Sequence, residues 1–298
     1  MHITQIGPSN GEWGFVSEVS DIDLTVPLTP AEVAAIERGM DRYAVLVFHD
    51  QAFTDEQQVA YSVNFGALEA ALANVTKPED RRLKLNIADI SNLDKNSEVL
   101  ARDDKRRMFN LGNMLWHSDS SFKATPAKYS LLSGRAVPKV GGDTQFADMR
   151  AAYESFPADI KSLIDPLICH HSLIYSRGQL GFDTFDEEER RNFAPERQRL
   201  VRHHPVTRQP SVFLSSHIGV IEGMPTPEAR MLIKDLTELA TQPALTYTHR
   251  WRRNDLVMWD NRTTMHRARR FDEAGEVRDL RRTTIEGSPT VSPEMAVA

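Results

Sequence analysis

His117-Ser118-Asp119 places an imidazole and a carboxylate two residues apart. In an extended segment, side chains at that spacing point the same way, so the pair could grip one divalent first-row metal ion. Two histidines and one carboxylate on one face of such an ion leave the opposite positions open for substrate and oxygen. The second histidine must then come from a distant part of the chain, and ten histidines are present in all. His170, His171, His203, His204 and His249 lie in or beside apolar stretches. They read as core or supporting residues, because imidazole is intermediate in its burial preference. His217 precedes a glycine-containing turn and could either contact a substrate or cap that turn. His266 stands apart: it follows Val257-Met258-Trp259-Asp260-Asn261-Arg262, a strand running into a polar turn, and precedes an arginine cluster.

That cluster comprises Arg267, Arg269, Arg270, Arg278, Arg281 and Arg282 within sixteen residues of an otherwise acidic chain. A basic surface stripe is the plain reading. Strand periodicity divides the set: Arg278, Leu280 and Arg282 share one face of a strand over 280–285 extended slightly upstream, and Arg281, Thr283 and Ile285 share the other. Guanidinium groups facing an interior are costly unless each meets an anion. The planar fork of arginine takes a carboxylate bidentately, so two inward arginines imply two anionic ligands. Trp116 and Trp259 flank the candidate ligands and read as packing residues. Asp260 and Asn261 could orient His266.

Short strands must position these groups. They are expected at 44–48, 85–90, 129–136, 167–175, 211–215, 245–251, 256–259 and 280–285. Gly, Pro and Asp turns separate them, which suggests a mainly β protein with inserted helices, a double-sheet jelly roll. Thr29-Pro30-Ala31-Glu32 predicts a helix to about Arg42, with threonine as N-cap and glutamate closing a capping box. Thr54-Asp55-Glu56-Gln57 repeats the signature, and that helix should stop near Gly66. Further helices are expected at 148–155 and 226–240. Residues 182–202, with Asp186-Glu187-Glu188-Glu189-Arg190-Arg191, look least core-like and read as a solvated loop or helix face. No linker-like segment divides the chain, and we read residues 1–298 as a single domain.

Composition narrows the function classes. The 298 residues are 40% hydrophobic and 26% charged, an ordinary globular balance. A net charge of −6 and a pI near 5.9 make nucleic acid a poor partner. No apolar run approaches the roughly 18 residues of a membrane helix, and no signal peptide is evident at Met1-His2-Ile3-Thr4-Gln5. A lone cysteine, Cys169, leaves no internal disulfide and no cysteine-rich metal site. These features point to a cytoplasmic, reducing location, and we expect a homo-oligomer.

The chain resembles the family of 2,4-dichlorophenoxyacetate and taurine dioxygenases, Fe(II)/2-oxoglutarate enzymes on a double-stranded β-helix. The resemblance rests on Trp116-His117-Ser118-Asp119-Ser120-Ser121-Phe122, Gly141-Gly142-Asp143-Thr144, Trp259-Asp260-Asn261-Arg262 with His266-Arg267, and residues 278–283. Weaker similarity runs from Val45-Leu46-Val47-Phe48 through Phe65-Gly66 to Ala88-Asp89-Ile90-Ser91-Asn92. It implies that His117, Asp119 and His266 are the iron ligands. It further implies that Thr144 and Arg278 hold the distal carboxylate of 2-oxoglutarate, and that Arg282 meets the acidic group of a small anionic organic substrate. O2 is the co-reactant, and succinate and CO2 are products. Residues 88–92 and the Tyr153 region look closer to the aryloxyacetate branch, whereas 70–85, where relatives build part of the substrate pocket, depart from the pattern. Competing readings are a taurine, alkylsulfonate or sulfate-ester dioxygenase, a zinc hydrolase using two histidines and an aspartate, and a non-catalytic jelly roll that captures an organic acid.

Overall fold

Strands whose residues are apolar on both sides have to be covered on both faces, and that requirement organises this chain. The computed structural model describes residues 1–10, 13–70 and 81–291. Its largest sheet has seven strands, in the order His2–Gln5, Val16–Ser20, Val45–Phe48, Leu256–Asp260, Ala127–Ala136, Asp279–Glu286 and Ala88–Ser91. Pairing is antiparallel except between Val16–Ser20 and Val45–Phe48. A smaller sheet, Thr246–His249, Thr144–Asp148 and Thr264–Ala268, is antiparallel throughout.

Alternation sends successive residues of each central strand into different layers. Val45, Val47, Leu132, Val257, Trp259 and Leu280 meet Phe146 of the smaller sheet and form the core between the two sheets. Leu46, Phe48, Leu131, Leu256, Met258 and Ile285 face the opposite way, onto Ile36 and Met40 of helix Pro30–Tyr43 and Tyr61 of helix Asp55–Ser62. The outer face of the smaller sheet, through Ala147 and Met265, is covered by Met149 and Ala152 of helix Met149–Ser155 and by Leu236 and Ala240 of helix Thr226–Ala240. The result is the expected jelly roll with helices on its flanks. No helix among the described residues is long and apolar enough to cross a membrane.

Both expected capping boxes form, Thr29 with Glu32 and Thr54 with Gln57. The second helix gives way at Ser62 to a 3-10 turn, Val63–Phe65, before Gly66. Two expectations need correction. The segment 167–175 is a four-residue strand, Ile168–His171, followed by helix Leu173–Gly178. Residues 182–202 are not merely a solvated face: Phe182, Phe185 and Phe193 are buried with Phe109, Phe122 and Leu173. Asp186 caps helix Glu187–Asn192 through its own capping box with Glu189. Of the departing segment 70–85, residues 71–80 lie outside the described residues.

Candidate metal centre and substrate cavity

His117 lies in a loop rather than a strand, and backbone hydrogen bonds fix it to the edge of the smaller sheet. Its N–H donates to the carbonyl of His266 at 3.0 Å, and the N–H of His266 returns the bond at 2.8 Å. Since His266 sits on strand Thr264–Ala268, this rung brings the two imidazole centroids within 4.2 Å. Ser118 turns inward and donates to the carbonyls of Asn261 and Thr264 at 2.6 and 3.2 Å. The chain then turns at Ser120, whose φ is +54°, and Asp119 comes round to the imidazoles. The candidate ligand atoms of His117, Asp119 and His266 all lie within 4.8 Å of one another. The spacing argument put His117 and Asp119 on one side together, and they do converge, although the segment is a turn and not a strand.

The protonation states suit a cation. Burial holds both imidazoles below their ordinary pKa, His266 well below, so each is neutral. His117 Nδ1 lies 2.7 Å from the carbonyl of Leu115, which can only accept, so Nδ1 carries the proton and Nε2 keeps its lone pair. Burial opposes ionisation of Asp119, but the Arg282 guanidinium beside it, helped by the Ser130 hydrogen bond, outweighs this and holds its carboxyl at about 2. Two neutral imidazoles and one carboxylate on a single side form a donor set that fits a ferrous ion.

Asn261, and not His266, is the focus of the supporting hydrogen bonds. Its Oδ1 accepts from the N–H of Asp119 at 3.2 Å and from Trp259 Nε1 at 2.9 Å. Its Nδ2 donates to Ser130 Oγ at 2.9 Å, and Ser130 donates in turn to Asp119 Oδ2 at 2.7 Å. Asp260 turns away and pairs with Arg262 at 2.6 Å and His204 at 3.3 Å. Nδ1 of His266 is buried without a hydrogen-bond partner. The expectation that Asp260 and Asn261 orient His266 is therefore wrong. Trp259 is a packing residue, fully buried with its ring 4.6 Å from that of His266, and Trp116 lies under the guanidinium of Arg267.

The arginines divide as strand periodicity requires. Arg281 faces helix Asp55–Ser62 and pairs with Asp55 at 2.6 Å. Arg282 faces the interior and donates to Asp119 Oδ1 at 2.5 Å, leaving its buried Nε without a partner. Arg278 is buried just ahead of the strand, where Nε donates to the carbonyl of Gly142 at 3.1 Å and burial lowers its pKa to about 10. Gly141 and Gly142 both have positive φ, and a Cβ on Gly141 would come 2.3 Å from the carbonyl oxygen of Arg270. This turn has no room for a side chain at its first glycine. Thr144 begins the next strand, and its hydroxyl accepts from Trp251 Nε1 at 3.0 Å.

Two neighbouring cavities are lined by these groups. The larger, about 200 Å³, has His117, Asp119, Arg282 and His217 on its wall together with Phe109, Phe122 and Leu173. The smaller, about 70 Å³, is lined by Arg278 with Asn92 and Met114. Asn110 and Asn113 border both. His217 is buried, bonds Ser176 Oγ through Nδ1 at 2.8 Å, and lies 6.1 Å ring to ring from His117. Sequence reasoning missed Ser130, Asn113 and above all Arg177, which lines the larger cavity. A signal for Arg177 existed: no acidic residue occurs between 166 and 182, so a buried arginine there has no partner close in sequence.

Comparison with known proteins accords with this geometry. The model of the family described as "Taurine catabolism dioxygenase TauD, TfdA family" matches residues 3–284. An alpha-ketoglutarate-dependent 2,4-dichlorophenoxyacetate dioxygenase of Cupriavidus pinatubonensis is 43% identical over 270 residues, 91% of this chain and 94% of the relative. An (S)-phenoxypropionate/alpha-ketoglutarate-dioxygenase of Sphingobium herbicidovorans is 35% identical, covering 85% of this chain and 86% of that protein. Among solved structures, AAD-2 in complex with Mn(II) and N-oxalylglycine superposes with a TM-score of 0.93 at 53% identity, over 97% of this chain and 99% of that one. The chain belongs to the TauD/TfdA family of dioxygenases.

Proposed function

We propose that this Fe(II)- and 2-oxoglutarate-dependent dioxygenase hydroxylates an aryloxyacetate or a closely related carboxylate and releases a phenol and glyoxylate. One observation carries the reading. The two-histidine, one-carboxylate cluster opens onto a cavity whose wall combines aromatic and aliphatic side chains with a cation, Arg282, set directly against Asp119. An aromatic acid needs that combination: an apolar wall for the ring and a guanidinium for the carboxylate. The named activities of the 43% and 35% identical relatives support it. So does the ligand of AAD-2, since N-oxalylglycine is 2-oxoglutarate with an N–H in place of one methylene.

When bound, ferrous iron supplies the oxidative decarboxylation of 2-oxoglutarate to succinate and CO2, with one oxygen atom of O2 entering succinate and the other the substrate C–H bond. The rest is done by side chains. His117, Asp119 and His266 would hold the ion, and His117 and Asp119 also line the larger cavity. Arg278 holds the far carboxylate of 2-oxoglutarate from the smaller cavity, with Thr144 beside the Gly142 turn that anchors Arg278. Arg282 keeps one N–H on Asp119 and turns its unpaired Nε toward the substrate acid. His217 forms part of the substrate wall. Anchoring the acid presents the carbon between ether oxygen and carboxylate to the metal, a proximity effect. Once hydroxylated, that carbon is a hemiacetal; its collapse breaks the bond from that carbon to the ether oxygen, the hydroxyl proton passes to the departing phenolate, and phenol and glyoxylate result.

The test is turnover of 2,4-dichlorophenoxyacetate by protein supplied with Fe(II), 2-oxoglutarate and O2. Phenol, glyoxylate and succinate should form in equal amounts. Succinate formed at the substrate-free rate, with no phenol, rejects the substrate assignment.

A further inference from the structure

The larger cavity carries a second buried guanidinium that the proposed chemistry leaves unused. Arg177, on helix Leu173–Gly178, is only 5% exposed. Its Nη1 donates to Ser176 Oγ at 3.2 Å, while its Nε is buried without a partner. The central carbon of the guanidinium lies over the Phe109 ring, 4.5 Å from its centre. It also presses on the turn Leu111–Met114 so closely that a Cβ on Gly112 would meet it at 2.2 Å. Among the described residues no carboxylate neutralises it. Arginine on a structural mission is normally paired when buried, because an isolated interior cation is strongly disfavoured. Arg282 at least has Asp119. Arg177 faces the same cavity with only the Ser176 hydroxyl and the Phe109 ring among the described residues beside it.

The neighbouring His217 does not fill that gap. Ser176 has one hydroxyl proton, which it donates to the carbonyl of Leu173 at 2.8 Å. It therefore accepts from both Arg177 and His217 Nδ1. His217 carries its proton on Nδ1, and burial keeps the ring neutral by holding its pKa well below the ordinary value. Its Nε2 is then an acceptor, the wrong polarity for an anion. The charge on this wall belongs to Arg177, and Ser176 locks the two side chains together.

We infer that Arg177 is a second anion receptor of the substrate cavity, taking the substrate's acidic group jointly with Arg282. This deepens the aryloxyacetate reading and rests on it. Among the described residues no acid pairs with this cation, and the incoming substrate acid completes it.

The test measures binding before turnover, in the anaerobic protein loaded with Fe(II) and 2-oxoglutarate. Binding of 2,4-dichlorophenoxyacetate and of its neutral methyl ester is compared for the wild type, Arg177→Gln and Arg177→Lys. Loss of a charge-assisted hydrogen bond should weaken the acid roughly ten- to a hundredfold in Arg177→Gln. The ester should change little, and Arg177→Lys should recover part of the acid's affinity. KM for the acid should rise in parallel, with KM for 2-oxoglutarate unchanged. Because the substitution removes an uncompensated interior charge, Tm of Arg177→Gln should equal or exceed that of the wild type. Equal weakening of acid and ester, or a marked drop in Tm, would make Arg177 a structural residue and overturn the inference. So would unchanged acid affinity in Arg177→Gln. A wild type that binds neither compound would instead overturn the aryloxyacetate reading, and the receptor with it.

Discussion

Replacing Asn261 by alanine should weaken metal binding although Asn261 offers no ligand atom of its own. Asn261 is almost fully buried and makes three side-chain hydrogen bonds, at 3.2, 2.9 and 2.9 Å. Alanine leaves the Asp119 N–H and Trp259 Nε1 without an acceptor and deprives Ser130 of a donor. Each lost bond is worth about 1 kcal/mol, and more where a buried partner is stranded, so folding stability should fall by roughly 3 kcal/mol. The consequence for the site is separate. Asp119 loses the bond that fixes its backbone, and Ser130 loses the neighbour that aims it at Asp119 Oδ2. Removing such support costs metal affinity about 10- to 100-fold. Ser130→Ala isolates the second effect, since it removes the 2.7 Å bond to Asp119 but strands fewer groups. It should lower affinity with a stability loss of about 1 kcal/mol. Fe(II) affinity measured anaerobically against a chromophoric chelator, beside urea unfolding of the metal-free proteins, separates the two quantities. If Asn261→Ala lost stability as expected yet bound Fe(II) as tightly as the wild type, the amide would be a packing residue and the reasoning about Asp119 would fail.

Arg282→Ala should raise KM for an aryloxy acid strongly while slow uncoupled turnover of 2-oxoglutarate persists, and steady-state kinetics with succinate detection decides it. Arg278→Met should raise KM for 2-oxoglutarate roughly 10- to 100-fold with little effect on aryloxy-acid binding, read from paired titrations. Asp260→Asn leaves Arg262 as a buried charge without its partner and should cost roughly 3–5 kcal/mol in urea unfolding near neutral pH. Burial opposes ionisation of Asp260, but Arg262 and His204 overcome this and hold its carboxyl far below the ordinary value of 3.8. A carboxyl depressed on folding contributes stability above its unfolded pKa and loses it as pH falls toward the folded value. The gap between wild type and Asp260→Asn should therefore be full at neutral pH and narrow below about pH 4; a gap independent of pH would contradict the pairing.

Much of this architecture was legible because local chemistry and global fold agree. Thr29 and Thr54 each announced a helix through a side chain that caps three residues ahead. Residues 44–48 and 256–259 announced buried strands through unbroken apolar runs covered on both faces. The segment 167–175 misled for the same reason, since periodicity in a short apolar run does not separate strand from buried helix. Asp186 and Glu189 did form a capping-box signature, but the surrounding charge hid the phenylalanines that carry the packing. At the site, the His117-Ser118-Asp119 spacing and the surroundings of His266 marked candidates, and the family resemblance supplied the ligand set that the structure brings together. Direction was harder. Whether Asn261 supports Asp119 or His266 depends on which way the turn after strand Leu256–Asp260 rolls, a tertiary outcome with no local signature. Arg177 was only half legible for a related reason, because the sequence around it shows what it lacks but not which cavity it faces.

Anaerobic Fe(II) binding to the wild type and to His117→Ala, Asp119→Ala and His266→Ala is the most direct measurement. The account predicts one ferrous ion per chain, lost in each of the three variants while their far-ultraviolet circular dichroism stays native. A full equivalent of iron retained at ordinary affinity in any one of them would contradict it.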